Sequence, residues 1–423
     1  MNILHIVEHY YPFKSGMSEV VKQISENLTD FGHKITVATG FNPERKTNLI
    51  NGVKIEEFNI SGNWATGFIG SQIETSRYID FVLNGNFDIV TLFAAQQWGT
   101  DLILPLLNKI KGKKVFVPTG FSGLYIPMFN EYFKNMKEWI RQFDCSVFLS
   151  NDYKDINFAK ENNVSYDKIV VIPNGASKKD FLTTENIEIK NKLSISPNDF
   201  LIISVGGHTA LKGHKEAIKI FEKSKIKNCV FVIVGNKIEK QLFKINFKNI
   251  IKLLLFSFFK RNIGLGCQYA CKHSEKKFNK SILRLFDKKK LIITDLTREE
   301  TLALYKIADI FLFPSNIECS PIVLFESCAS QTPFLTSDVG NSKEIIEWTE
   351  GGILLPTKKD KKGYSYAEIN KSAKILENIC KDKDLRENLK KRGFENWSEK
   401  FTWEEISKKY ESLYLTLTSK QSR

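Results

Sequence analysis

Apolar positions along the chain keep two alternating spacings. Residues 3–7 form a short, mostly apolar run of the kind found in a strand buried on both faces. Val20, Val21, Ile24, Leu28 and Phe31 then recur at three- and four-residue spacing, one face of a helix that Gly32 stops. Further strand-like runs lie at 35–38, 89–93, 115–117, 147–149 and 169–172, with helical stretches between several of them. Strands separated by helices imply right-handed crossovers and a parallel sheet covered on both sides. In this doubly wound plan ligands bind at the carboxyl ends of the strands.

After Pro173-Asn174-Gly175 the alternation restarts. A run at 201–205 ends in Gly206-Gly207 and one at 230–234 ends at Gly235. Runs at 291–293, 310–313 and 334–336 follow, with helices expected at about 298–307 and 319–330. The expected fold is α/β, two doubly wound Rossmann-like domains at 1–176 and 177–400, with the junction in the stretch 175–198. Trp403, Ile406, Tyr410, Leu413 and Leu417 form an apolar stripe on an aromatic tail, so a helix at 401–418 is expected to pack back on the first domain.

A chain of 423 residues accommodates two or three domains, and 42% hydrophobic with 26% charged residues permits a sizeable core. The seven cysteines lack disulfide-scaffold spacing, which fits a reduced, cytoplasmic protein. MNILHIVEHYYPF has neither a basic leader nor a small-residue cleavage site, so no signal peptide is expected. No run approaches the roughly 20 apolar residues that cross a bilayer. The net charge of +14 is local: residues 237–290 hold fifteen Lys or Arg against three acids. A local patch predicts a local anionic partner.

The segment from Phe311 to Glu326 carries the most chemistry. A strand runs into Pro314-Ser315, then a loop, then a helix, with Glu318 before the helix and Glu326 inside it. The N–H groups of Cys319, Ser320, Ile322 and Val323, around Pro321, fall where a helix terminus and its dipole favour phosphate. Carboxylates on either side of such a site suit sugar hydroxyls and ribose hydroxyls. The plainer alternative makes Glu318 an ordinary helix-start charge and Glu326 a surface residue. No P-loop, Ser-His-Asp order or HExxH motif occurs. Cys267, Cys271 and His273 supply three ligand-type residues where a structural zinc takes four, so free cysteines and no metal are expected.

This segment resembles the Glu-x7-Glu signature of family 4 glycosyltransferases, retaining enzymes of GT-B architecture. YYPFKSG resembles that family's first glycine loop and GHKITVAT its second strand. KIVVIPNGASKKDF is similar to its interdomain segment and SVGGHTALKGH to its donor-phosphate loop. ADIFLFPSNIECSPIVLFESCASQTPFLTSDVGNSKEII is similar to its C-terminal core. The resemblance implies a transfer from a UDP- or GDP-linked sugar to a glycan or lipid-linked glycan, with retention and without a cofactor or metal, in surface polysaccharide synthesis. The site would lie in a cleft between the domains, donor mainly on the second and acceptor on the first. Glu318 would hold the sugar hydroxyls, Glu326 the ribose and Lys212 the diphosphate, Gly16 would admit the donor, and Leu296 would meet the base. Gly16 alone also reads as a helix-initiating turn glycine.

Three positions depart from the family pattern. The first loop reads Ser15-Gly16 where two glycines are common. Gly206 and Gly207 stand where many members carry an arginine, with His208 as a substitute phosphate cation or a solvent-facing loop histidine. Pro118-Thr119-Gly120 stands where many have a histidine, which leaves Thr119 and Gly120 as acceptor-side hydrogen-bonding positions. A sugar-nucleotide epimerase of the same architecture and a non-catalytic nucleotide-sugar-binding scaffold are the competing functions.

Within 237–290, Lys237, Lys240, Lys244, Lys248 and Lys252 form one basic helical stripe, followed by Leu253-Leu-Leu-Phe-Ser-Phe-Phe259 and Lys260-Arg261. A basic amphipathic helix can lie on an anionic membrane, which predicts a peripheral position on its inner face. A helical lid or a dimer contact is the alternative. No nucleic-acid partner is expected, since no reading motif accompanies the charge.

Overall fold

The computed structural model describes residues 1–182, 188–235, 264–281, 286–361 and 363–419. The chain divides into two compact units. The first comprises Met1–Ser177, Cys319–Ile322 and Lys400–Arg423, and the second Lys178–Glu318 and Val323–Glu399. Both are α/β and Rossmann-like, as the alternation of apolar runs predicts.

The first unit holds β1 (Asn2–Ile6), β2 (Lys34–Gly40), β3 (Leu49–Ile50), β4 (Val53–Phe58), a small hairpin of β5 (Ser61–Asn63) and β6 (Gly67–Ile69), β7 (Ile89–Phe93), β8 (Lys113–Val117), β9 (Cys145–Phe148) and β10 (Ile169–Val171). The main sheet runs β10-β9-β8-β7-β1-β2-β4-β3. Its neighbours are parallel except the antiparallel β3–β4 edge. Strands β3 and β4 add to the sequence expectation. In β4 the buried Val53, Ile55 and Phe58 are interrupted by Lys54, Glu56 and Glu57, so no unbroken apolar run marks it. The first helix, Gly16–Asp30, starts from a capping box in which the Ser15 and Ser18 hydroxyls accept from each other's backbone N–H. It buries Val20, Val21, Ile24 and Leu28, whereas Phe31 caps the end and stays off that face.

The second unit holds β11 (Phe200–Val205), β12 (Cys229–Val234), β13 (Lys289–Thr294), β14 (Ile310–Phe313), β15 (Phe334–Ser337) and β16 (Gly352–Leu355), with a hairpin of β17 (Thr357–Lys359) and β18 (Ser365–Ala367). Its sheet runs β13-β12-β11-β14-β15-β16, all parallel. The chain leaves β11 toward β12 on one side and returns to β14 on the other. The loops after β11 and β14 therefore part at a switch point, where open α/β sheets place their ligands.

The lysine stripe and the Leu-Phe run between 237 and 261 lie outside the described residues. The helix Gly264–Asn279 is part of the second unit's core. Cys271 and Phe278 are buried, and Phe278 stacks on Phe221 at 5.3 Å. The Asn279 amide exchanges hydrogen bonds of 2.8 and 3.0 Å with the Leu291 backbone, and Glu275 accepts from Ile293 N at 2.8 Å. The free edge of β13 is thereby covered, as an exposed strand edge requires. Lys289 is buried and donates to the carbonyls of Phe221 and Ser224, while Lys290 donates to those of Leu193 and Ser194. These two lysines hold the fold together rather than extending a basic surface. No described helix is long and apolar enough to cross a membrane.

The last helix, Trp403–Ser419, packs within the first unit beside Gly16–Asp30. Its buried apolar and aromatic positions are Trp403, Ile406, Tyr410 and Tyr414, so Tyr414 takes the place that the sequence stripe assigned to Leu413. Thr402 bridges Ala176, with Ala176 N donating to Phe401 O at 3.0 Å. The Tyr414 hydroxyl lies 2.7 Å from Thr91 Oγ1 and 3.3 Å from His5 Nε2, and His5 Nδ1 lies 2.8 Å from Ser25 Oγ. Burial pushes the His5 imidazole down to about 3, so this buried chain of polar groups is neutral. Tyr414→Phe, which leaves the Thr91 and His5 ends without that partner, should cost about 1–3 kcal/mol of stability in urea unfolding. An unchanged unfolding midpoint would show that the network contributes nothing.

Candidate active site

The second unit brings Lys212 and Glu318 together at its switch point. Lys212 and Gly213 end the loop that follows β11, and Glu318 lies in the loop that follows β14. Gly213 has φ +67°, and a Cβ there would meet Pro314 O at 1.8 Å, so only glycine allows this approach. Asn316 N donates to Leu211 O at 2.9 Å and Ser315 Oγ to the same carbonyl at 3.1 Å, binding the two loops. Lys212 Nζ then donates to Glu318 Oε1 at 2.7 Å, and Ser315 Oγ, whose single proton is shared between this carboxylate and the Leu211 carbonyl, lies 2.7 Å from the same oxygen. Lys212 remains a third exposed and Glu318 is mostly buried.

The helix expected at 319–330 spans Ile322–Ala329. Pro321 has no N–H and biases Ser320 toward extended backbone, so the helix begins after it. Cys319, Ser320 and Pro321 form the loop leading in, and Ile322 and Val323 start the first turn, whose N–H groups lack intrahelical partners. Glu326 is not a surface residue. It is 3% exposed, and its Oε1 lies 2.6 Å from Arg298 Nη2, which also reaches Asp180 Oδ2 at 3.1 Å. Arg298 had no assignment from the sequence. The capping box Thr297-x-x-Glu300 places it at the first position of the helix Arg298–Ile307, directly after the carboxyl end of β13, and that signal was available. Leu296 lies half-buried in the same β13 turn.

A Cβ on Gly16 would meet nothing within 4 Å, and one on Gly207 would meet only the Thr209 methyl, at 3.9 Å. Packing among the described residues does not demand glycine at either place. His208 is not the solvent-facing loop histidine that the sequence also allows. It is 4% exposed, and its Nδ1 faces Cys267 Sγ at 3.7 Å. Cys267 and Cys271 gather with His208 and His214, whereas His273 is exposed, which corrects the grouping expected from the sequence. The Cys267 thiol is pulled toward thiolate by the neighbouring Cys271 thiol and then by the two imidazoles.

The profile of the family described as "Glycosyl transferases group 1" matches residues 185–396, half of the chain. The chain belongs to the group 1 glycosyl transferases. An uncharacterised glycosyltransferase of Methanocaldococcus jannaschii is 22% identical over 441 residues, covering 98% of each chain. The N-acetyl-alpha-D-glucosaminyl L-malate synthase of Bacillus anthracis is 21% identical over 413 residues, covering 96% of this chain and 94% of that one. Among solved structures, the Anabaena protein HepE in complex with UDP superposes with a TM-score of 0.69 at 13% identity, over 98% of this chain and all of that one. That likeness is one of fold.

The first unit of this glycosyltransferase holds strained backbone at the carboxyl ends of β7 and β8. Ala94 (φ 64°), Gln96 (φ 63°), Thr119 (φ 59°) and Phe121 (φ 44°) are left-handed without being glycine. Such residues persist only where their surroundings enforce them. Asp101 Oδ1 and the Tyr132 hydroxyl each accept from Gln96 N at 3.1 Å. Asp155 accepts from Gly120 N at 2.7 Å and from Ile156 N at 3.0 Å. Burial raises both carboxyls to about 6 despite these hydrogen bonds. The folded transferase therefore binds more protons at these groups than the unfolded chain between pH 4 and 6, and their contribution to stability falls as pH rises through that window. For Asp155 the change amounts to about 3 kcal/mol at most. Asp155→Asn removes this dependence, so the wild type should gain on the variant as pH is lowered from 6 to 4. A difference in denaturation midpoint that stays constant with pH would contradict it.

Proposed function

We propose that the protein is a retaining, family 4 type glycosyltransferase that takes sugar from a nucleotide-sugar donor bound by its second unit and passes it to a glycan or lipid-linked acceptor bound by its first. The observation that carries this reading is the Lys212–Glu318 pair, held at 2.7 Å where the sheet's switch point places ligands. A partly exposed ion pair contributes about 1 kcal/mol or less, so an arriving diphosphate can draw Lys212 away at little cost. Lys212 and the first-turn N–H groups at Ile322 and Val323 then meet the negative charge that builds on the leaving diphosphate. Glu318, released from the lysine, faces the donor sugar's hydroxyls. Glu326 would meet the ribose, with Arg298 compensating its buried charge. A Cβ on Gly207 would have room, which suits a donor lying close to the second unit's backbone, and Leu296 in the β13 turn suits the base. HepE was solved with UDP, which supports a uridine nucleotide as the first donor to try. The strained Thr119 and Gly120 turn supports placing the acceptor on the first unit.

The proposal uses side chains and a helix terminus for the leaving group. A thermal-shift screen of UDP- and GDP-sugars identifies the donor, since a bound ligand stabilises the native state by mass action. With that donor, Lys212→Ala should lower kcat about 100-fold while changing KM less, because its interaction strengthens in the transition state. Glu318→Gln should fold and lose most of the transfer. NMR of the product's anomeric configuration checks retention. Wild-type turnover in either variant, or an inverted product, would overturn the corresponding part of the proposal.

The basic, aromatic run at 237–261 supports delivery of the enzyme to an anionic membrane, where a lipid-linked acceptor in surface polysaccharide synthesis would be found. Binding to anionic vesicles in co-sedimentation should weaken with salt and leave a residue carried by Phe256, Phe258 and Phe259. Replacing Lys244, Lys248, Lys252 and Lys260 by Glu should abolish it. A wild-type protein that ignores anionic vesicles at low salt would favour a lid or dimer contact instead.

A further inference from the structure

Lys212 lies between two buried histidines. His208 sits in the loop after β11, and His214 opens the helix His214–Lys223. On the facing helix, Gly264–Asn279, Cys267 and Cys271 are four residues apart and share one face. One ligand-type atom from each of these four side chains lies within 4.8 Å of all the others. Nδ1 of His208 and Nδ1 of His214 face Cys267 Sγ at 3.7 and 4.0 Å, and the imidazole rings meet edge to face at 5.0 Å. His208, His214 and Cys271 are each at most 4% exposed.

We propose that His208, His214, Cys267 and Cys271 bind one zinc-class divalent metal ion, a structural site that staples the edge helix to the loop carrying Lys212. The distances support it. Tetrahedral zinc, with bonds of about 2.3 Å to sulfur and 2.0–2.1 Å to nitrogen, sets its ligand atoms roughly 3.3–3.8 Å apart. The separations here, at most 4.8 Å, exceed that geometry by about 1–1.5 Å at most, which side-chain rotations can close. Its chemistry is that of a soft, nitrogen- and sulfur-ligated ion, which selects zinc over magnesium or calcium. Four protein ligands leave no open position for a substrate, so the metal is structural.

Without an ion the cluster is poorly satisfied. Its imidazole contacts to sulfur are long, at 3.7 and 4.0 Å. Buried polar groups in that condition cost stability. The scaffold also fixes the ligands in advance. A Cβ on Gly235, at the end of β12, would lie 2.6 Å from His208 Nε2, so glycine there gives the ring its place. A Cβ on Gly206 would lie 3.3 Å from Lys212 Cβ and 3.7 Å from His214 Nε2, so the same turn carries both the lysine and a ligand.

The test begins with full-length protein purified under reducing conditions, reconstituted with zinc and freed of excess by gel filtration. Elemental analysis should find about one zinc per chain, and chelation should lower the thermal midpoint. Cobalt reconstitution should give the intense visible bands of a tetrahedral site with thiolate charge transfer, bleached by zinc. Cys271→Ser and His214→Gln should lose the metal, and His273→Gln should keep it. The wild-type cobalt spectrum decides the matter even where a variant does not fold. Absence of bound metal in the reconstituted wild type, a six-coordinate cobalt spectrum, a Cys267–Cys271 disulfide in the native protein, or metal lost in His273→Gln would each overturn the site. Resting on the donor reading, chelation should also weaken nucleoside-diphosphate binding through the Lys212 loop. Metal content and spectrum are independent of transfer, so failure of the donor reading leaves them unchanged.

Discussion

The close approach of Gly213 to the Pro314 carbonyl is the constraint on which the candidate site depends. With no side chain at 213, the loop after β11 lies flat against the end of β14, and the Leu211 carbonyl takes hydrogen bonds from Asn316 N and Ser315 Oγ. Lys212 reaches Glu318 as a consequence. The order of causes matters, because a partly exposed ion pair is too weak to hold two loops together, whereas hydrogen bonds in a close-packed turn are not. The charged pair can therefore rearrange when a ligand arrives while its framework stays in place.

Much of this was legible in the chain. Parallel sheets buried on both faces leave short, mostly apolar runs, so β1, β2, β7, β11, β12 and β14 stood out. Strand β4 did not, because one side of it carries charge. Lys212 and Glu318 were legible as motif residues, but their contact spans 106 positions and depends on the switch point. The start of the helix at Ile322 was knowable from Pro321 and was placed too early. Cysteines spaced Cys-x3-Cys drew attention to His273, yet two residues along a helix points a side chain away from that face. The partners came from another element, 53 and 59 positions distant, and no local pattern announces such a meeting.

Both units hold left-handed backbone near their strand ends, at Thr119 in the first and at Ala210 in the second. In the first, buried carboxylates accept from the strained segments: Asp101 from Gln96 and Asp155 from Gly120. Those carboxylates lose hydration by burial and recover part of the loss through backbone donors. Conformational strain at the β7 and β8 turns is thus tied to ionisation.

The helix Trp403–Ser419 makes the first unit discontinuous, with a consequence for synthesis. A ribosome that has finished β10 at Val171 must add roughly 230 residues to reach Trp403, about 12 to 46 seconds at about 5–20 residues per second. Throughout that interval Tyr410 and Tyr414 are missing from a core that also contains His5 and Thr91. The nascent N-terminal unit waits with an apolar groove open beside its first helix while the second unit, which ends at Glu399, is made. A chain that stops before residue 403 would leave that groove permanently exposed, an obvious mark for chaperones and proteases.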